Sequence, residues 1–547
     1  MMIVSQLAFV LGFTTIFGYI NFCRNLLKID FGHATVFTFS IILSIYFIAS
    51  ITYTLDLVIY GSFILGTFLF LKYLYDFFIT AKSRQNFSYD YTDHIIFALI
   101  IIVFYYNIRW LPVYAFWDEY SYWGVALKEM NIYHGFQKLE QPKTVNASYV
   151  PLSTIFQYSI SKLIGFKEAH NVFANGLIGI IFSSVFFTPK KIYLSLTFIL
   201  IAILPALFFD IISLNSLHID TNLGIVFGAC IAIYVQSKKY NNPYLTFFLT
   251  APILFILPNI KEAGYWLAYI VIALLFSDKI LRKKYCKMII LLALLPIIGK
   301  CLWVYHLYKV NQLAFPPFSQ IPGSSVIRLI MMIRNQEDFG LLYIVIKKIL
   351  PYFYSYMMII NYAIFTLGII FLRIYDLDNW KKLIYYQTLL LLGFILYIIF
   401  RLELYLSPLV FLKQEALNAA SHERYLSSYS MVFSFCSLSF IKNALDRNVA
   451  TNINIKIFCL APKNIFIILS VILNVLSLKQ INYQLRIPNP AYFIERKNLI
   501  QNLIDNSQNK EIDFRGYNML DCYIYRYMEA PYLDKKKVEK CLHDIKQ

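Results

Sequence analysis

Residues 34–51 read ATVFTFSIILSIYFIASI, an apolar segment without a charged residue. A second segment, residues 55–76, follows closely and reads LDLVIYGSFILGTFLFLKYLYD. Apolar segments of roughly 17–25 residues match the thickness of the hydrocarbon core of a bilayer. Because backbone N–H and C=O groups find no water there, such segments form helices. The two segments therefore predict a pair of membrane-spanning helices.

The same composition extends over the whole chain of 547 residues, of which 59% are hydrophobic and 15% are charged. Soluble domains have about 45–50% apolar and about 25% charged residues. The excess of apolar residues excludes an ordinary soluble globule. We predict an all-α polytopic transmembrane protein with about fourteen membrane helices. The further spans are predicted at about 3–22, 94–114, 171–187, 192–209, 222–236, 244–258, 264–277, 288–306, 355–372, 383–401, 426–441 and 464–478.

Basic residues concentrate in alternate joints between these spans, and the positive-inside rule assigns that face to the cytoplasm. The formal net charge of +18 is therefore attributed to membrane orientation, and we expect no nucleic-acid partner. The basic residues of these joints are Arg24, Lys28, Lys82, Arg84, Lys190, Lys191, Lys238, Lys239, Lys279, Arg282, Lys283, Lys284, Lys287, Arg373, Lys381, Lys382, Lys442, Arg447 and Lys456.

The opposite face receives the outer loops 115–170, 307–354 and 402–425. We treat residues 1–478 as the multi-span region and residues 479–547 as a small extracytoplasmic C-terminal tail domain, because only this tail has the mixed composition of a soluble protein. Cys522 and Cys541 lie in the tail, and they can form a disulfide if the tail faces an oxidising compartment.

Two adjacent carboxylates, Asp118 and Glu119, stand near the start of the loop 115–170, directly after a predicted span. Neighbouring positions on a helix do not share a face. One carboxylate can therefore point into a cleft while the other caps the helix or orients a neighbour. The alternative is a solvent-exposed acidic start of a helix, which the helix dipole favours.

Three further polar residues fall on the same predicted face. His218 and Asp220 lie in a short joint between spans, where the alternative is a polar turn with a helix-capping Asp or Asn222. Lys261 lies in another outer joint, where the positive-inside rule does not favour a lysine. The alternative for Lys261 is an internal ion pair with the adjacent Glu262 or a side chain that snorkels to the interface.

His422 and Arg424 stand before the predicted span 426–441, in a segment that begins with Arg401. Arginine suits bidentate contact with phosphate oxygens, and the alternative is an interfacial charge cluster. Transfer of a sugar from a polyprenyl phosphate needs a base for the acceptor hydroxyl and cations for the leaving phosphate. Acidic and basic groups that share one membrane face meet both demands.

This layout resembles the GT-C superfamily of membrane glycosyltransferases, whose first large extracytoplasmic loop carries an acidic motif. The resemblance rests on Asp118-Glu119, Asp220, the Lys-Glu-Ala-Gly turn at 261–264 and the pair Arg424-Tyr425. In that family the acidic loop usually follows the first span, whereas here it follows four predicted spans. The resemblance implies a GT-C-like arrangement of the membrane helices.

The resemblance also implies roles for the residues. Asp118 would be the general base, Glu119 would assist or orient it, and Asp220 with His218 would contact the acceptor or a metal. The donor phosphate would be bound by Lys261, His422 and Arg424. A divalent cation stays open as a cofactor, since the family includes enzymes with and without one. Most members invert the anomeric centre.

The expected function is transfer of a sugar from a polyprenyl-phosphate donor to a glycolipid or polysaccharide acceptor of the cell envelope. With membrane lipid, these two substrates are the expected partners. The expected location is the bacterial inner (cytoplasmic) membrane, with the active site facing the periplasm or exterior. An O-antigen polymerase or ligase is an alternative, since such enzymes rely on Arg and His in later outer loops, as at His422 and Arg424. A transporter or flippase is the other alternative, whose site would lie near the middle of the membrane.

Overall fold

A computed structural model describes residues 2–82, 92–108, 114–115, 118–136, 138, 149–187, 192–207, 216–311, 336–375, 379–406, 416–419, 421–450, 490–507, 512, 514, 517–529 and 540–541. Every regular element within these ranges is a helix, which confirms the all-α prediction.

We number the longer helices in chain order. They are α1 (Met2–Leu27), α2 (Phe31–Ile51), α3 (Leu55–Lys82), α4 (Thr92–Ile108), α5 (Gly124–Tyr133), α6 (Leu152–Ile164), α7 (Glu168–Ser183), α8 (Ile192–Leu207), α9 (Asp220–Ser237), α10 (Pro243–Ile260), α11 (Gly264–Ser277), α12 (Lys279–Lys309), α13 (Gln336–Ile349), α14 (Tyr356–Tyr375), α15 (Asn379–Leu406), α16 (His422–Ala450), α17 (Pro490–Ser507) and α18 (Met519–Glu529). A π-helical turn, Glu119–Trp123, leads into α5.

Among the described residues, seven helical segments are long and apolar enough to cross a membrane. They are Phe31–Ile51, Leu55–Asp76, Glu168–Phe186, Pro243–Ile260, Lys283–Lys309, Tyr356–Ile374 and Asn379–Leu402. On α3 the large apolar side chains of Leu57, Ile64 and Phe68 are 72–75% exposed, an arrangement that suits contact with lipid and not with water. These features together indicate a membrane protein.

Each predicted span up to 426–441 overlaps a helix over most of its length. The span predicted at 464–478 lies outside the described residues, and among the described residues seven segments are long and apolar enough to cross a membrane. The total of about fourteen therefore stays a prediction. Parts of the predicted loops 307–354 and 402–425 lie outside them as well. The loop 115–170 contains the π-helical turn, α5, α6 and the start of α7.

Three helices connect two polar ends of the molecule. Helices α9 and α16 begin with Asp220 and His422, and Lys261 directly follows the end of α10. These three ends lie together, because both Lys261 and Arg424 contact Asp220. Helix α9 has 18 residues and is therefore about 27 Å long. Its far end lies at the opposite side of the helical bundle.

The basic joints meet at that opposite end. Lys238, just after α9, lies 2.9 Å from Asp278. Lys239 pairs with Asp30 and lies 3.6 Å from Asp446 near the end of α16. Joints that the sequence assigned to one face are thus in contact with one another, at the end remote from Asp220.

One basic residue of this end departs from the expectation of an exposed lysine. Lys442 is 1% exposed, and its Nζ donates to the Val185 carbonyl oxygen at 2.9 Å and to Gln236 Oε1 at 3.0 Å. A buried ammonium group needs such oxygen partners to offset its lost hydration. Lys442 therefore ties helices together in addition to contributing positive charge.

Helices α9 and α16 pack closely because α9 carries glycine on the contact face. A Cβ atom on Gly224 would lie 2.5 Å from the Ser428 backbone oxygen, and one on Gly228 would lie 2.5 Å from the Phe435 ring. Small residues four positions apart allow this close approach of membrane helices. The contact places Asp220 at the start of α9 next to Arg424 at the start of α16.

The tail helix α18 packs against the π-helical turn and α5. The Tyr527 ring lies 5.5 Å from that of Tyr114 and 5.6 Å from that of Tyr120, and Lys128 Nζ donates to the Tyr527 carbonyl oxygen at 2.9 Å. Cys522 of α18 forms a disulfide with Cys541. The described part of the predicted tail domain thus lies directly against the loop that carries Asp118.

Candidate functional site

The structure brings together Asp118, His218, Asp220, Lys261 and Arg424, which belong to four separate segments of the chain. We call these five residues the charged cluster. Asp118 precedes the π-helical turn, and His218 and Asp220 lie at the start of α9. Lys261 follows α10, and Arg424 lies in the first turn of α16. The sequence predicted each of these residues as part of a site on one face.

A single guanidinium group bridges the two carboxylates of the cluster. Arg424 Nη1 lies 2.5 Å from Asp118 Oδ2, and Arg424 Nε lies 3.2 Å from Asp220 Oδ2. Lys261 Nζ donates to Asp220 Oδ1 at 2.5 Å. The side chains of these four residues are only 7–16% exposed. Ion pairs shielded from water to this degree are little affected by salt.

Lys261 pairs with Asp220, so the alternative in which it pairs with the adjacent Glu262 is wrong. Glu262 instead pairs with Lys300 of α12. Burial raises the pKa of Glu262 to about 7, although the Lys300 ammonium group lowers it. This second ion pair lies next to the cluster along the chain and holds α12 to the joint between α10 and α11.

An aromatic ring at the centre of the cluster is surrounded by cations. The Tyr425 ring centroid lies 3.5 Å from the Arg401 guanidinium carbon, 4.7 Å from Lys261 Nζ and 5.4 Å from the Arg424 guanidinium carbon. Burial raises the pKa of the Tyr425 hydroxyl, but the three cations outweigh it and hold that pKa below its usual value of 10.0. A phenol that is acidified despite burial indicates positive potential at this point.

The cations also act on the acidic members of the cluster. Burial alone would raise the pKa of Asp220, but Lys261 and Arg424 reverse the shift and hold it below 3.8. His218 Nε2 lies 3.4 Å from Asp118 Oδ2. Burial and the Arg424 charge lower the pKa of His218 to about 4, although Asp118 opposes the shift. At neutral pH the imidazole is therefore uncharged while Asp220 is ionised.

Glu119 holds the backbone around the cluster. Its Oε2 accepts a hydrogen bond from the Ala115 amide at 2.7 Å, and its Oε1 accepts one from the Leu217 amide at 2.8 Å. The residue is fully buried, at 0% exposure, which rules out a solvent-exposed helix start. Glu119 therefore connects the segment that carries Asp118 to the segment that carries His218, which is an orienting role.

A network of buried side-chain amides, which the sequence did not predict, supports the segment that carries His218. Asn175 Nδ2 donates to the carbonyl oxygens of Ser216 and His218 at 2.9 and 3.1 Å. Asn222 Nδ2 donates to the Asn175 carbonyl oxygen at 2.9 Å. The sequence signal for this network is the presence of asparagines within apolar runs. A buried side-chain amide requires hydrogen-bond partners, so such asparagines indicate a polar network.

His422 is not placed in the charged cluster with the other predicted phosphate-binding residues. Its Nδ1 donates to the Ala419 carbonyl oxygen at 2.9 Å, so the ring satisfies the start of its own helix. Arg401 lies beside the Tyr425 ring. The sequence did not predict this contact, although Arg401 begins the segment that leads to His422 and Arg424. No group of three or more His, Cys, Asp or Glu side chains among the described residues is arranged to hold a metal ion.

The geometry thus presents two carboxylates, a neutral imidazole and several cations at one end of a membrane-helix bundle. Such a set can bind an anion and can accept a proton. Comparison with protein-family models, with curated proteins and with solved structures found no match to this chain.

Proposed function

We propose that the chain is a membrane glycosyltransferase that moves a sugar from a polyprenyl-phosphate donor to an acceptor hydroxyl at the charged cluster. The observation that carries the proposal is the bridge from Arg424 to both Asp118 and Asp220. The bridge holds a proton acceptor and a phosphate-binding group from distant segments of the chain side by side. The side chains of both groups are only 14–16% exposed.

The balance of charge suits an anionic ligand. Lys261, Arg401 and Arg424 contribute three positive charges, and Asp118 and Asp220 contribute two negative charges, so one positive charge is in excess. His218 adds no charge at neutral pH, since its pKa is about 4. The charge of Glu119 is taken up by two backbone amides. A phosphate diester would neutralise the remaining charge.

Arg424 also retains a donor for a ligand. Its Nε atom is buried and, within the part of the chain that the structure describes, has no hydrogen-bond partner, although it lies 3.2 Å from Asp220 Oδ2. A buried donor without an aligned acceptor is costly. A phosphate oxygen at this position would satisfy Nε in competition with Asp220, and a shift of the guanidinium towards the phosphate would break the contact of Nη1 with Asp118.

The reaction follows from that exchange of partners. The donor phosphate takes Arg424 and Lys261 from the carboxylates, and Asp118 is released to accept the proton of the acceptor hydroxyl. The acceptor oxygen forms a bond to the anomeric carbon while the bond from that carbon to the phosphate oxygen breaks. The bonding electrons leave with the polyprenyl phosphate, whose charge Arg424 and Lys261 stabilise. The anomeric centre is inverted, because the displacement is direct.

The test uses the full chain reconstituted in liposomes with a panel of polyprenyl-phosphate sugars, and it measures the release of polyprenyl phosphate. Asp118→Asn and Arg424→Ala are each expected to lower the rate by about 100-fold or more. Asp278→Asn is the matched control. Asp278 is also ion-paired and 16% exposed, close to the 14% of Asp118, but it lies at the opposite end of the molecule.

The same assay separates the alternatives. Full activity of Asp118→Asn together with loss in Arg424→Ala would favour a polymerase or ligase that relies on arginine. Passage of the lipid-linked sugar across the bilayer without sugar transfer would favour a transporter or flippase. Equal loss in Asp118→Asn and Asp278→Asn would mean that the charged cluster has no special part in the reaction.

A further inference from the structure

A cleft lined by aromatic rings lies beside the charged cluster. Its walls come from Tyr122 and Trp123 at the end of the π-helical turn, from Tyr149 before α6, from Trp303 in the last turns of α12 and from Arg526 of the tail helix α18. Its cavity volume is about 80 Å³ and its mouth is open, so it is a small cleft that suits a single ring and not a large ligand.

The rings form two groups. The Tyr149 ring lies 5.1 Å from that of Tyr122 and 5.9 Å from that of Trp123. The Trp303 ring lies 5.5 Å from that of Phe136. Tyr122 and Tyr149 are partly exposed, whereas Trp303 is only 3% exposed. A pyranose ring carries C–H groups on its faces, and these pack favourably against the electron-rich face of an aromatic ring.

The cleft also carries charged groups suited to sugar hydroxyls. Glu129 of α5 and Arg526 of α18 both line it, and the Glu129 carboxylate offsets part of the burial cost of the Arg526 guanidinium. A carboxylate accepts hydrogen bonds and a guanidinium donates them. Aromatic faces with a few placed polar groups are typical of sites that fix the orientation of a small ligand.

Tyr122 and Tyr149 connect the cleft to the charged cluster. Tyr122 follows Asp118 by one helical turn, the spacing at which side chains share a face. Burial and then the Asp118 carboxylate raise the pKa of Tyr122. Burial, followed by Tyr122, Tyr425 and Asp118, raises the pKa of Tyr149. The part of the cleft wall formed by Tyr122 therefore begins one helical turn after the carboxylate that the proposed reaction uses as its base.

We propose that the aromatic cleft is the subsite for the acceptor saccharide, in which a pyranose packs on Tyr149 and Tyr122 and presents a hydroxyl to Asp118. This inference rests on the proposed function and names the binding place of its second substrate. The isoprenoid chain of the donor is a less suitable occupant, because the cleft holds a carboxylate and a guanidinium. Its walls also come mainly from loop and tail helices and not from candidate spans.

Binding can be measured without catalysis, because Trp123 and Trp303 in the cleft report on it. We would record tryptophan fluorescence of the detergent-solubilised full chain with methyl glycosides of glucose, galactose, mannose, N-acetylglucosamine and rhamnose, and with geranyl phosphate as an isoprenoid probe. We expect saturable quenching by at least one glycoside. Quenching by geranyl phosphate alone, or by none of the probes, would overturn the inference.

Substitutions locate the subsite. Tyr149→Ala is expected to raise the dissociation constant of the quenching glycoside, and the KM for that glycoside as acceptor, by about tenfold, whereas Tyr149→Phe keeps the ring and stays near wild type. Glu129→Gln, which preserves the shape of the side chain, is expected to weaken binding in the same direction. Unchanged affinity in both Tyr149→Ala and Glu129→Gln would place the saccharide elsewhere.

Asp118→Asn separates this inference from the proposed function. The variant is expected to keep the glycoside-dependent quenching while losing sugar transfer. If the wild-type chain binds glycosides in the cleft but releases no polyprenyl phosphate from any donor, the proposed function fails and the saccharide subsite stands. If the wild type transfers sugar and Tyr149→Ala leaves the acceptor KM unchanged, the subsite fails and the function stands.

Discussion

At the scale of single residues, Arg424 is the group whose geometry matters beyond its charge. Its planar guanidinium reaches Asp118 and Asp220 at once, whereas a lysine ammonium is a point charge that cannot span both. We expect Arg424→Lys to lower the transfer rate by about tenfold or more although the charge is kept. Arg496→Lys is the matched control, because Arg496 binds Asp521 through two nitrogens in the tail. An active Arg424→Lys variant would show that charge alone is needed.

Glu119 illustrates a carboxylate that acts through the backbone. A glutamine at this position retains one carbonyl oxygen and turns an N–H group towards a backbone amide that now binds Glu119. We expect Glu119→Gln to lower the free energy of unfolding by about 2 kcal/mol, measured by thermal unfolding in detergent. Glu423→Gln, at an exposed position of α16, should have no such effect. Equal stability of the two variants would remove the orienting role from Glu119.

His218 predicts a dependence of stability on pH. Its pKa in the folded chain is about 4, below the value of about 6.5 expected after unfolding. The unfolded chain therefore binds the proton of His218 more readily, and the contribution of His218 to stability is lost as the pH falls from 6.5 to 4. The change is at most about 3 kcal/mol. Asp220 acts only below this window, because its folded pKa lies under 3.8. We expect His218→Gln to flatten the decline in melting temperature between pH 6.5 and 4, and a decline as steep as that of the wild type would contradict this role of His218.

The sequence could predict the cluster residues that break a rule of membrane topology. Lys261 stands out as a lysine on the outer face, and Asp118 and Asp220 as acids beside spans. It could not predict that Arg401 would face Tyr425, because that contact depends on how α15 meets α16. His422 had the same sequence signal as Arg424, yet its ring bonds to its own helix start. Side-chain direction within one turn is set by packing and not by the local pattern.

At the scale of helices, the apolar runs predicted where helices lie but not how they pack. The pairing of α9 with α16 depends on Gly224 and Gly228, whose spacing is visible in the sequence, yet nothing local names the partner helix. The short helices of the loop 115–170 were also missed as elements. Helices α5 and α6 have too few apolar residues to read as spans, and they are stabilised by tertiary packing.

The close contact of α9 and α16 gives a test at this scale. A Cβ atom on Gly224 would lie 2.5 Å from the Ser428 backbone oxygen, whereas one on Gly61 of α3 would meet nothing within 4 Å. We expect Gly224→Ala to push the two helices apart, to cost about 1–3 kcal/mol of stability and to lower transfer activity by separating Asp220 from Arg424. Gly61→Ala should be neutral or slightly stabilising. Identical melting temperatures and activities for both variants would contradict this account of the interface.

At the scale of the whole molecule, two ends of opposite character are held apart by α9, α10 and α16. One end carries the charged cluster, the aromatic cleft and the tail helix with its disulfide to Cys541. The other carries the basic joints, where Lys238 and Lys239 pair with acids of neighbouring joints. Disulfides persist in oxidising compartments and basic joints favour the cytoplasm. Both signals favour the orientation predicted from the sequence, with the cluster outside.

Accessibility to a membrane-impermeant maleimide tests that orientation directly. In a chain whose unpaired cysteines are replaced by serine, Met519→Cys would mark the cluster end, since Met519 is 50% exposed on α18. Asn241→Cys would mark the basic end, where Asn241 is exposed after α9. We expect Met519→Cys to react in intact cells with a permeable outer barrier, and Asn241→Cys to react only after the inner membrane is opened. The reverse pattern would place the charged cluster in the cytoplasm, where a donor displayed on the outer leaflet cannot reach it.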